Sequence, residues 1–509
     1  MKILTTQQIR QADAYTIANE PIADIDLMER AAGVCFTWLK AQTPAGQFIK
    51  VFCGSGNNGG DGLAVSRMLV SAGYRVSVFV LAPPEKMSES CRVNFERISQ
   101  CHDEGLIECR LVTEQTALPA IEKSDIVIDA IFGSGLTRAA EGIAAAAIYH
   151  INNSGALVVS IDVPSGLYCD ATTQTTPVHL VICADHTLTF APPKLAFFFP
   201  ENDPFVGDWH LLNIGLHEGF IDAENTQNFM MEAGDIAPLI RKRNRYAHKG
   251  TFGHALIIAG SGGKMGAAVL SATSCLRSGP GLVTMRVPAS GVTILQGAIP
   301  EAMLSIDPGE NHFSEAPDLT PYSSIAIGPG IATNPDTVNA LKILIQHAKS
   351  PILFDADAIN ILAANKTWLG FIPKACIFTP HPREFERLAG TSSNDFERNR
   401  MQRDFSFRYQ CYVVLKGAHT AITTPDGRCF FNTTGNPGMA TGGSGDVLTG
   451  ILAGIMAQGY SSLESCLLGV FIHGLAGDIA LEEQGFEALI AGDITKNIGK
   501  SFQTLYGKF

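Results

Sequence analysis

Short apolar runs, each followed by a segment rich in glycine and polar residues, recur along this chain. In the first half they predict strands at residues 48–52, 75–81, 125–131 and 156–161, with a final strand inside 184–199. Helical periodicity between the runs predicts helices at residues 5–19, 25–41 and 63–72. This alternation is typical of a doubly wound α/β fold, whose ligands bind at the carboxyl ends of parallel strands.

The second half repeats this pattern after a polar, acidic segment at residues 216–236 that is typical of a linker. Strands are predicted at residues 254–259, 281–287, 324–327, 352–354, 376–378 and 411–415. Polar residues lie just past these strands, and helical patterns follow most of them. The sequence therefore predicts two doubly wound α/β domains, one at residues 1–220 and the other at residues 230–509.

Composition narrows the class of protein. With 46% hydrophobic and 17% charged residues, the 509-residue chain has the composition of an ordinary globular protein. Its net charge of −12 argues against nucleic acid or an anionic membrane as a partner. We find no uninterrupted apolar run long enough to cross a membrane and no signal-peptide pattern. The 12 cysteines include no CxxC pair, which favours reduced thiols in the cytoplasm over disulfides or a zinc site.

Residues 441–450, TGGSGDVLTG, are the strongest candidate for chemistry. They lead into an apolar helical run at residues 447–458, so converging backbone N–H groups and the helix N-terminus favour an anion there. We expect Asp446 to be fully ionised and to remove a proton from a hydroxyl while the backbone stabilises a transferring phosphoryl group. The alternative is a glycine-rich turn in which Asp446 caps the helix.

Three strand–helix junctions of the first half carry polar residues at the same predicted edge of the sheet. The groups are Asn57, Asn58 and Asp61; Asp129, Gly133, Ser134 and Gly135; and Asp162, Ser165 and Gly166. The spacing at the first junction, GSGNNGGDG, differs from the GxGxxG motif of dinucleotide-binding proteins. Together the groups favour one shared site over separate helix caps. The oxygen donors of Asn58, Asp129 and Ser165 also suit a cation.

Candidates in the second half leave two interpretations open. His381, between two prolines, is either a structural or a ligand-binding histidine. Lys416 and Thr420 suit the phosphates of a nucleotide. Asp355 and Asp357 suit either water-mediated magnesium contacts or helix caps. The segment GSGGKMG lacks the Walker spacing, which argues against a P-loop ATPase.

Two basic features are also ambiguous. Lys194 follows a pair of prolines and suits a phosphate or carboxylate contact, although a solvated lysine is the default expectation. The run RKRNR at residues 241–245 either binds a phosphate group or is a solvated segment at the boundary between the two domains. We favour the boundary segment because the run is short and adjoins the predicted linker.

Four segments of the first half occur in the order LMERAAG, GNNGGDGLA, DAIFGSGL and DVPSGL. Through these segments, residues 1–216 resemble the family of NAD(P)HX epimerases. The resemblance implies a Rossmann-like fold that interconverts the R and S forms of hydrated NADH and NADPH. A carboxylate beside the hydroxyl-bearing carbon suits acid/base work, a role that we assign to Asp162. The resemblance implies that the hydrate contacts Asn57, Asn58, Gly59, Gly60, Asp61, Gly133, Ser134, Gly135, Leu136, Thr137, Arg138, Ala139 and Asp162. It also implies a potassium ion at Asn58, Asp129 and Ser165.

Residues 235–509 resemble the ribokinase-like superfamily, and within it the ADP/ATP-dependent NAD(P)HX dehydratases. The segments that carry this resemblance are GPG, DADAIN, TPHPREFERL, KGAHT and NPGMATGGSGDVLTG. It implies that ADP, or ATP in some members, phosphorylates the hydroxyl of the hydrate, and that loss of phosphate restores NAD(P)H, with Mg²⁺ as cofactor. It implies hydrate contacts from Ala267, Gly330, His381 and Asp446. It implies nucleotide contacts from Lys416, Gly417, Ala418, His419, Thr420 and Gly445.

Both halves thus suit consecutive steps on one damaged cofactor, in a bifunctional, homo-oligomeric enzyme that binds NADHX or NADPHX and ADP. One alternative is a vitamin or sugar kinase fused to a ligand-binding domain, which would release a stable phosphorylated product. Another is a binding protein that has lost its chemistry, against which the intact Asp446 and its glycine-rich loop argue. The sequence does not decide between ADP and ATP or between the two hydrates.

Overall fold

The computed structural model describes residues 1–44, 46–101 and 105–507. The described residues form two compact units, each with its own hydrophobic core. The N-terminal unit comprises Lys2–Thr226 with Asn394–Phe396, and the C-terminal unit comprises most of the chain from Gln227 onward, together with Met1. The predicted domain ranges, 1–220 and 230–509, include residues 45, 102–104, 508 and 509, which lie outside the described residues.

Helices and parallel strands alternate in the N-terminal unit. Its helices are α1 (Thr6–Asn19), α2 (Asp24–Gln42), α3 (Asn57–Ser71), α4 (Glu89–Ser99), α5 (Gly142–Asn152), α6 (Asp203–Val206) and α7 (Glu218–Ala223). Its strands are β1 (Phe48–Cys53), β2 (Arg75–Val80), β3 (Ile107–Leu111), β4 (Ile126–Ala130), β5 (Leu157–Ile161), β6 (His186–Phe190) and β7 (Asp208–Leu212). The predicted final strand is therefore followed by a further one, β7, which is only partly buried and carries a weaker apolar signal.

The strands of this unit form one parallel sheet in the order β3-β2-β1-β4-β5-β6-β7 across the described residues. Both faces of the sheet are covered, because Val51 and Phe52, neighbours on β1, belong to different hydrophobic clusters. The order of the first six strands is that of the Rossmann fold, which confirms the predicted class for this half. It places the ends of β1, β4 and β5 side by side.

The C-terminal unit follows the same principle with a longer sheet. Its helices are α8 (Ala233–Ile236), α9 (Met265–Arg277), α10 (Val292–Ala298), α11 (Pro335–His347), α12 (Ala356–Ala364), α13 (Pro382–Ala389), α14 (Asp395–Tyr409), α15 (Ser444–Ala457), α16 (Ser462–Gln484) and α17 (Ala491–Tyr506). Its strands are β8 (Asn228–Met230), β9 (His254–Ile258), β10 (Leu282–Pro288), β11 (Met303–Asp307), β12 (Ser324–Ile327), β13 (Ile352–Phe354), β14 (Ile377–Phe378), β15 (Tyr412–Leu415), β16 (Ala421–Thr423) and β17 (Cys429–Phe431). The segment predicted to be a linker thus contributes α7, β8 and α8.

In the described part of this unit, the strand order is β11-β10-β9-β12-β13-β14-β15-β16-β17-β8. The pairings of β16 with β15 and β17 are antiparallel, and the others are parallel. Helices α9 and α15 belong to the main core cluster through residues such as Ala268, Cys275 and Ile451. The chain therefore contains the two doubly wound α/β units that the sequence predicts.

Helix α16 is long and apolar enough to cross a membrane when judged by length and composition alone, with a mean hydropathy of 1.4. It carries Glu464 and Asp478, so it contains no uninterrupted apolar run of membrane-spanning length. Of its most apolar window, 61% is buried inside the protein, and its residues Phe471 and Ile472 belong to the core of the C-terminal unit. The helix therefore packs as a core helix of this unit.

The basic run at residues 241–245 makes contacts with its own unit. Arg241 forms an ion pair with Glu464 at 3.2 Å, and its guanidinium lies 4.1 Å from the centre of the Tyr460 ring. The Arg243 guanidinium lies 4.1 Å from the centre of the Phe252 ring. These contacts support the interpretation as a boundary segment, which here is anchored by cation–π contacts.

Candidate active sites

The carboxyl ends of β1, β4 and β5 meet at one edge of the N-terminal sheet. Asp129 lies on β4, and Ser165 follows β5. The Ser165 hydroxyl donates to Asp129 Oδ1 at 2.5 Å, and the Ser165 amide donates to Oδ2 at 2.8 Å. Burial raises the pKa of the Asp129 carboxyl, and hydrogen bonds from Ser165 and Ser160 offset part of that rise. Two of the predicted cation ligands are therefore in direct contact.

Asn58 and Asp162 lie beside Gly133. A Cβ atom built on Gly133 would lie 3.2 Å from Asn58 Cβ and 3.1 Å from Asp162 Oδ2, so a side chain there would crowd both residues. Asn58 is 7% exposed, and among the described residues neither its Oδ1 nor its Nδ2 has a hydrogen-bond partner. Because a buried amide without a partner is costly, this arrangement indicates that a ligand completes the site.

Asp162 is held by two partners. Its Oδ1 lies 2.7 Å from Lys194 Nζ, and its Oδ2 accepts a hydrogen bond from the Ser134 amide at 3.1 Å. Lys194 is 1% exposed and also donates to the Phe190 carbonyl at 2.8 Å. The expectation of a solvated lysine is therefore wrong, because acceptors at the ends of β5 and β6 compensate the burial of its ammonium group.

Helix α1 contributes groups to this cleft that the sequence patterns did not indicate. Thr6 Oγ1 donates to the Ser134 carbonyl at 3.3 Å. Burial and the charge of Asp162 raise the pKa of Asp13 to about 6, and Lys194 acts in the opposite direction. Nothing in the local sequence around Asp13 signals this, because the contacts join segments that are far apart in the chain.

The NNGGD segment lies inside α3, so it is helical and not part of a turn. Asn57, Gly59 and Gly60 accompany Asn58 in the first turns of this helix. Burial, followed by the charges of Asp162 and Asp13, raises the pKa of Asp61 well above its ordinary value.

The remaining predicted epimerase residues, 136–139, continue the loop that follows β4. Within the described residues, no hydrogen bond or ion pair joins them to Asp162 or Asn58. Gly135 and Thr137 in this part of the chain are exposed. The loop therefore contacts Asp162 through its first residues, Gly133 and Ser134.

In the C-terminal unit, α15 begins at Ser444, so Asp446 lies in its first turn and Gly443 occupies the N-cap position. The alternative in which Asp446 caps the helix is therefore wrong. Gly443 has a φ of 95°, and a Cβ atom there would lie 2.6 Å from Leu270 Cδ1. Among the described residues, the amides at positions 442, 443, 445 and 446 donate to no intrachain acceptor. They are therefore available for an anion at the helix N-terminus.

The electrostatic environment makes Asp446 a stronger base than an exposed aspartate. Burial and the charges of Asp355 and Asp357 raise its pKa to about 6, while Lys416 opposes the rise. The prediction of full ionisation therefore needs refinement, since the carboxyl is mostly, and not completely, ionised at neutral pH. A base with a pKa near the working pH is well suited to accept a proton in a transition state.

Asp355 links the strand ends around this site. Its Oδ1 accepts from Lys416 Nζ at 3.0 Å and from Thr379 Oγ1 at 2.8 Å, and its Oδ2 accepts from Thr449 Oγ1 at 2.8 Å. Asp355 occupies the N-cap position of α12, but its side chain does not cap that helix. The helix-cap interpretation of this side chain is therefore wrong, because its oxygens accept hydrogen bonds from Lys416 and two hydroxyl groups instead of from the helix amides.

Asp357 lies in the first turn of α12. Its Oδ2 accepts from the Ala332 amide at 2.9 Å and lies 3.4 Å from Lys264 Nζ. Lys264 in turn lies against Gly330, because a Cβ atom on Gly330 would be 3.1 Å from Lys264 Cβ and 3.3 Å from Ala267 Cβ. The predicted hydrate contacts Ala267 and Gly330 are therefore adjacent.

His381 is the N-cap of α13. Its Nδ1 accepts from the amides of Arg383 and Glu384 at 3.2 and 3.4 Å, so the proton of the neutral ring resides on Nε2. Burial lowers the pKa of His381, with an opposing effect from Glu384. The structural interpretation is therefore supported, since Nδ1 caps the helix. Nε2 lies 3.5 Å from Glu384 Oε1, and ligand binding through Nε2–H stays a prediction.

Residues 417–420 form the turn between β15 and β16. Thr420 Oγ1 donates to the Gly417 carbonyl at 3.0 Å, which closes the turn. A Cβ atom on Gly445 would lie 3.3 Å from Lys416 Nζ, so the Lys416 ammonium reaches the first turn of α15. The structure thus brings the predicted nucleotide contacts Lys416 and Gly445 together.

Two residues that the sequence patterns did not single out support the first turn of α15. Ser271 Oγ on α9 donates to the Asp446 carbonyl at 3.0 Å. His473 Nε2 on α16 lies 2.9 Å from the Ser444 carbonyl, and burial lowers the pKa of His473 to about 4. Because their partners are backbone atoms of a distant segment, no local motif indicates them.

The chain matches two family models and a set of curated relatives. Residues 24–196 match the model described as YjeF-related protein N-terminus, and residues 255–500 match the model described as NAD(P)H-hydrate dehydratase. The bifunctional NAD(P)H-hydrate repair enzyme of Moorella thermoacetica is 36% identical over 507 residues, which cover 97% of this chain and 95% of the relative. The enzyme of the same name from Escherichia coli is 31% identical and covers 92% of this chain and 88% of the relative.

Solved structures are similar to part of this chain. The ADP/ATP-dependent NAD(P)H-hydrate dehydratase of Bacillus subtilis, co-crystallised with ATP and Mg²⁺, is 27% identical with a TM-score of 0.47 and covers 54% of this chain and 97% of that chain. A ribokinase-like superfamily protein of Enterococcus faecalis is 27% identical with a TM-score of 0.47 and covers 55% and 98%. The family match at residues 255–500 confirms the predicted resemblance of this half to the NAD(P)HX dehydratases. With relatives above 30% identity over nearly its whole length, the chain belongs to the family of bifunctional NAD(P)H-hydrate repair enzymes.

Proposed function

We propose that the N-terminal unit interconverts the R and S forms of hydrated NADH and NADPH, and that the C-terminal unit dehydrates the S form with ADP, releasing AMP and phosphate. The observation that carries the proposal is Asp446 beside the free amides of the first turn of α15, in a chain of the repair-enzyme family. The vitamin- or sugar-kinase alternative explains that turn equally well. It assigns only ligand binding, and no reaction, to the N-terminal cleft with Asn58 and Asp162.

For the dehydration, Asp446 accepts the proton of the hydrate hydroxyl while that oxygen attacks the terminal phosphoryl group of the nucleotide. The free amides at positions 442, 443, 445 and 446 stabilise the charge on that group, and Lys416 contacts its oxygens. The C–O bond then breaks and phosphate leaves with the former hydroxyl oxygen. The neighbouring ring carbon loses a proton to water, and the electron pair of that C–H bond restores the double bond of the reduced ring. Ala267, Gly330 and His381 hold the hydrate, and the turn at residues 417–420 holds the nucleotide.

Mg²⁺ would bind this site mainly through the phosphates of the nucleotide, and not through a cluster of protein side chains. Within the described residues, no group of three or more His, Cys, Asp or Glu side chains is placed to hold a metal ion. Mg²⁺ commonly keeps several waters and binds through phosphates and one or two carboxylates. Asp357, which is partly exposed, would hold it through water, and the ion would neutralise charge on the phosphates.

For the epimerisation, Asp162 accepts the proton of the hydroxyl on the carbon next to the ring nitrogen while the C–N bond of this hemiaminal breaks, which gives a carbonyl and a ring nitrogen that takes up a proton. The nitrogen then adds to the opposite face of the carbonyl, loses that proton, and Asp162 returns a proton to the oxygen, so the carbon is inverted. The hydrate would lie along Asn57–Asp61 and the loop at residues 133–139. The residues around Asn58 also fit a potassium ion, because the amide oxygen of Asn58 has no partner and Asp129 carries a buried carboxyl next to Ser165. Amide, hydroxyl and carboxylate oxygens are ligands for such hard cations, and the ion would offset the burial of Asp129.

Cytoplasmic location, a homo-oligomeric state and the absence of nucleic-acid or membrane partners also stay proposals. The support for the cytoplasm is chemical, since all 12 cysteines carry free thiols. The support for the exclusion of polyanionic partners is the net charge of −12. Size-exclusion chromatography with light scattering tests the oligomeric state directly.

The decisive experiment incubates the purified full-length chain with a mixture of R and S hydrates, first with ADP and then with ATP. Regeneration of reduced-nicotinamide absorbance from both epimers, with equal release of AMP and phosphate from ADP, supports the proposal. Conversion of about half of the mixture identifies an inactive N-terminal unit. A stable phosphorylated product without regained absorbance identifies the kinase alternative.

A further inference from the structure

The buried ion pair between Lys194 and Asp162 is an unusual feature of the N-terminal cleft. Lys194 Nζ lies 2.7 Å from Asp162 Oδ1, and the side chains are 1% and 12% exposed. Replacing a buried ion pair by apolar side chains is often neutral or stabilising, so the pair is weak evidence for a role in stability. Its position at the carboxyl ends of two adjacent strands is evidence for a role in the site.

The surroundings show what the pair does to the Asp162 carboxylate. Lys194 holds Oδ1 and is itself oriented by the Phe190 carbonyl at 2.8 Å. The Ser134 amide holds Oδ2 at 3.1 Å, on the side where Gly133 leaves space next to Asn58. Two fixed partners thus determine the direction of the carboxylate, and its remaining lone pairs are available to a ligand in that space.

The charge balance of the cleft gives Lys194 a second effect. Asp13 from α1, Asp61 from α3 and, more distantly, Asp24 from α2 add negative charge around Asp162, while Arg10 on α1 adds positive charge. Neighbouring carboxylates disfavour ionisation of one another, and a cation in contact favours it. Among the described residues, Lys194 is the cation in ion-pair contact with Asp162.

We infer that Lys194 is a positioning residue of the epimerase site, which compensates the charge of the Asp162 carboxylate through direct contact and directs that carboxylate at the hydroxyl of the hydrate. The inference rests on the proposed epimerase function and names the group that makes Asp162 competent as a base. Lys194 does not exchange the proton itself in this scheme, because its ammonium stays bound to Asp162 and Phe190.

The test compares Lys194→Met with a matched control, Lys50→Met. Lys50 also forms a largely buried ion pair in this unit, with Asp125 Oδ2 at 2.5 Å and side-chain exposures of 12% and 6%. Its Nζ also donates to the Ala120 carbonyl, and it lies on β1 away from the groups described in the cleft. Both variants lose one buried cation, so thermal unfolding should report comparable losses of stability.

The readout is the rate at which pure R hydrate approaches the R/S equilibrium, followed by chromatography without nucleotide across a range of pH. For Lys194→Met we expect kcat/KM at neutral pH to fall about 100-fold and the acid limb of the profile to move up by about 1 to 3 pH units. Lys50→Met should keep the wild-type profile. The same shift should persist when Asp13→Asn is added, because Asp13 is not the group that the inference invokes.

Each result decides a separate question. If the wild-type chain does not accelerate the interconversion, the proposed epimerase function itself fails. If the wild type is active but Lys194→Met lowers the rate equally at all pH values, Lys194 is merely structural and the inference is overturned. Loss of the shift in the Asp13→Asn background would transfer the role from Asp162 to Asp13. Thermal unfolding and circular dichroism of the same preparations verify that the N-terminal unit of each variant is folded, and dehydration of pure S hydrate verifies that the C-terminal unit is intact.

Discussion

Lys416 Nζ lies 3.0 Å from Asp355 Oδ1, and it makes no ion pair with Asp446 in the described structure. Asp355 is almost fully buried and also accepts from Thr379 and Thr449, so it holds the ammonium group firmly. The carboxylate of Asp446, in contrast, has no hydrogen-bond or ion-pair partner among the described residues. Asp355 thus positions a cation, and the unpaired Asp446 carboxylate supports the proposal that this residue accepts a proton.

Asp446→Asn is expected to abolish dehydration while epimerisation continues. Loss of a general base typically lowers a rate by about 10²- to 10⁴-fold, and we expect kcat for S hydrate to fall within that range. Calorimetric titration should show that ADP still binds, because the amides and Lys416 remain in place. A variant that dehydrates the S hydrate at more than a tenth of the wild-type rate would exclude Asp446 as the base.

The same substitution should stabilise the fold at neutral pH. Aspartate titrates near 3.8 in an unfolded chain, and Asp446 titrates at about 6 in the folded one, so between these values the folded state binds more protons. The free energy of unfolding therefore falls as pH rises through this window, and Asp446→Asn removes that loss. Allowing for its partial exposure, we expect a gain of about 2 kcal/mol at pH 7 and almost none at pH 4. Denaturant titrations at several pH values measure it, and a gain independent of pH would contradict the assignment.

Gly443 and Gly442 provide a matched pair in the anion-binding turn. An alanine at Gly443 must adopt a φ near 95° and would place its Cβ 2.6 Å from Leu270 Cδ1. An alanine at Gly442 meets no atom within 4 Å. We expect Gly443→Ala to lower the free energy of unfolding by roughly 1 to 3 kcal/mol and to raise the KM for ADP, because the turn must shift. Gly442→Ala should leave both nearly unchanged, and equal effects from the two variants would argue against this account of the turn.

The strands were the most predictable part of the fold. β12 and β13 coincide with the predicted residues 324–327 and 352–354, since continuous apolar runs are the signature of strands buried on both faces. The starts of α1 and α2 lie within one residue of the predicted ones, but the starts of the two glycine-rich helices were not predictable. α3 and α15 begin at Asn57 and Ser444, upstream of the predicted 63 and 447, although glycine-rich sequence has low helix propensity.

Tertiary packing explains the earlier helix starts. A Cβ atom on Gly59 would lie 2.1 Å from the Gly54 carbonyl oxygen, and one on Gly62 would lie 2.5 Å from Ala130 Cβ. These glycines are required because the helix approaches the strands closely. Helix-propensity scales describe single residues and do not include such tertiary contacts. The early start also brings the candidate site residues into the first turns of the helix, where its dipole is positive.

The partners of the candidate side chains were the least predictable part. Lys194, a residue of a proline-set turn, belongs to the N-terminal site only through contacts with Asp162 and Phe190. Asp13 joins the same cleft from α1. A sequence motif identifies residues next to the end of one strand. The partners of those residues come from distant segments, and the order of strands in the sheet determines which of these segments lie close together.

Asn58 provides the test for the potassium ion. Its amide is buried without a partner, and a bound cation would satisfy Oδ1, so we expect K⁺ to raise the melting temperature of the chain and the rate of epimerisation. Asn58→Ala should remove both responses, whereas Asn153→Ala, at an exposed residue whose amide donates to the Tyr149 carbonyl, should keep them. Differential scanning calorimetry in K⁺ against tetramethylammonium at equal ionic strength separates ion binding from screening. If Asn58→Ala still responds to K⁺ as the wild type does, the ion binds elsewhere, and the unsatisfied amide must instead be completed by the hydrate.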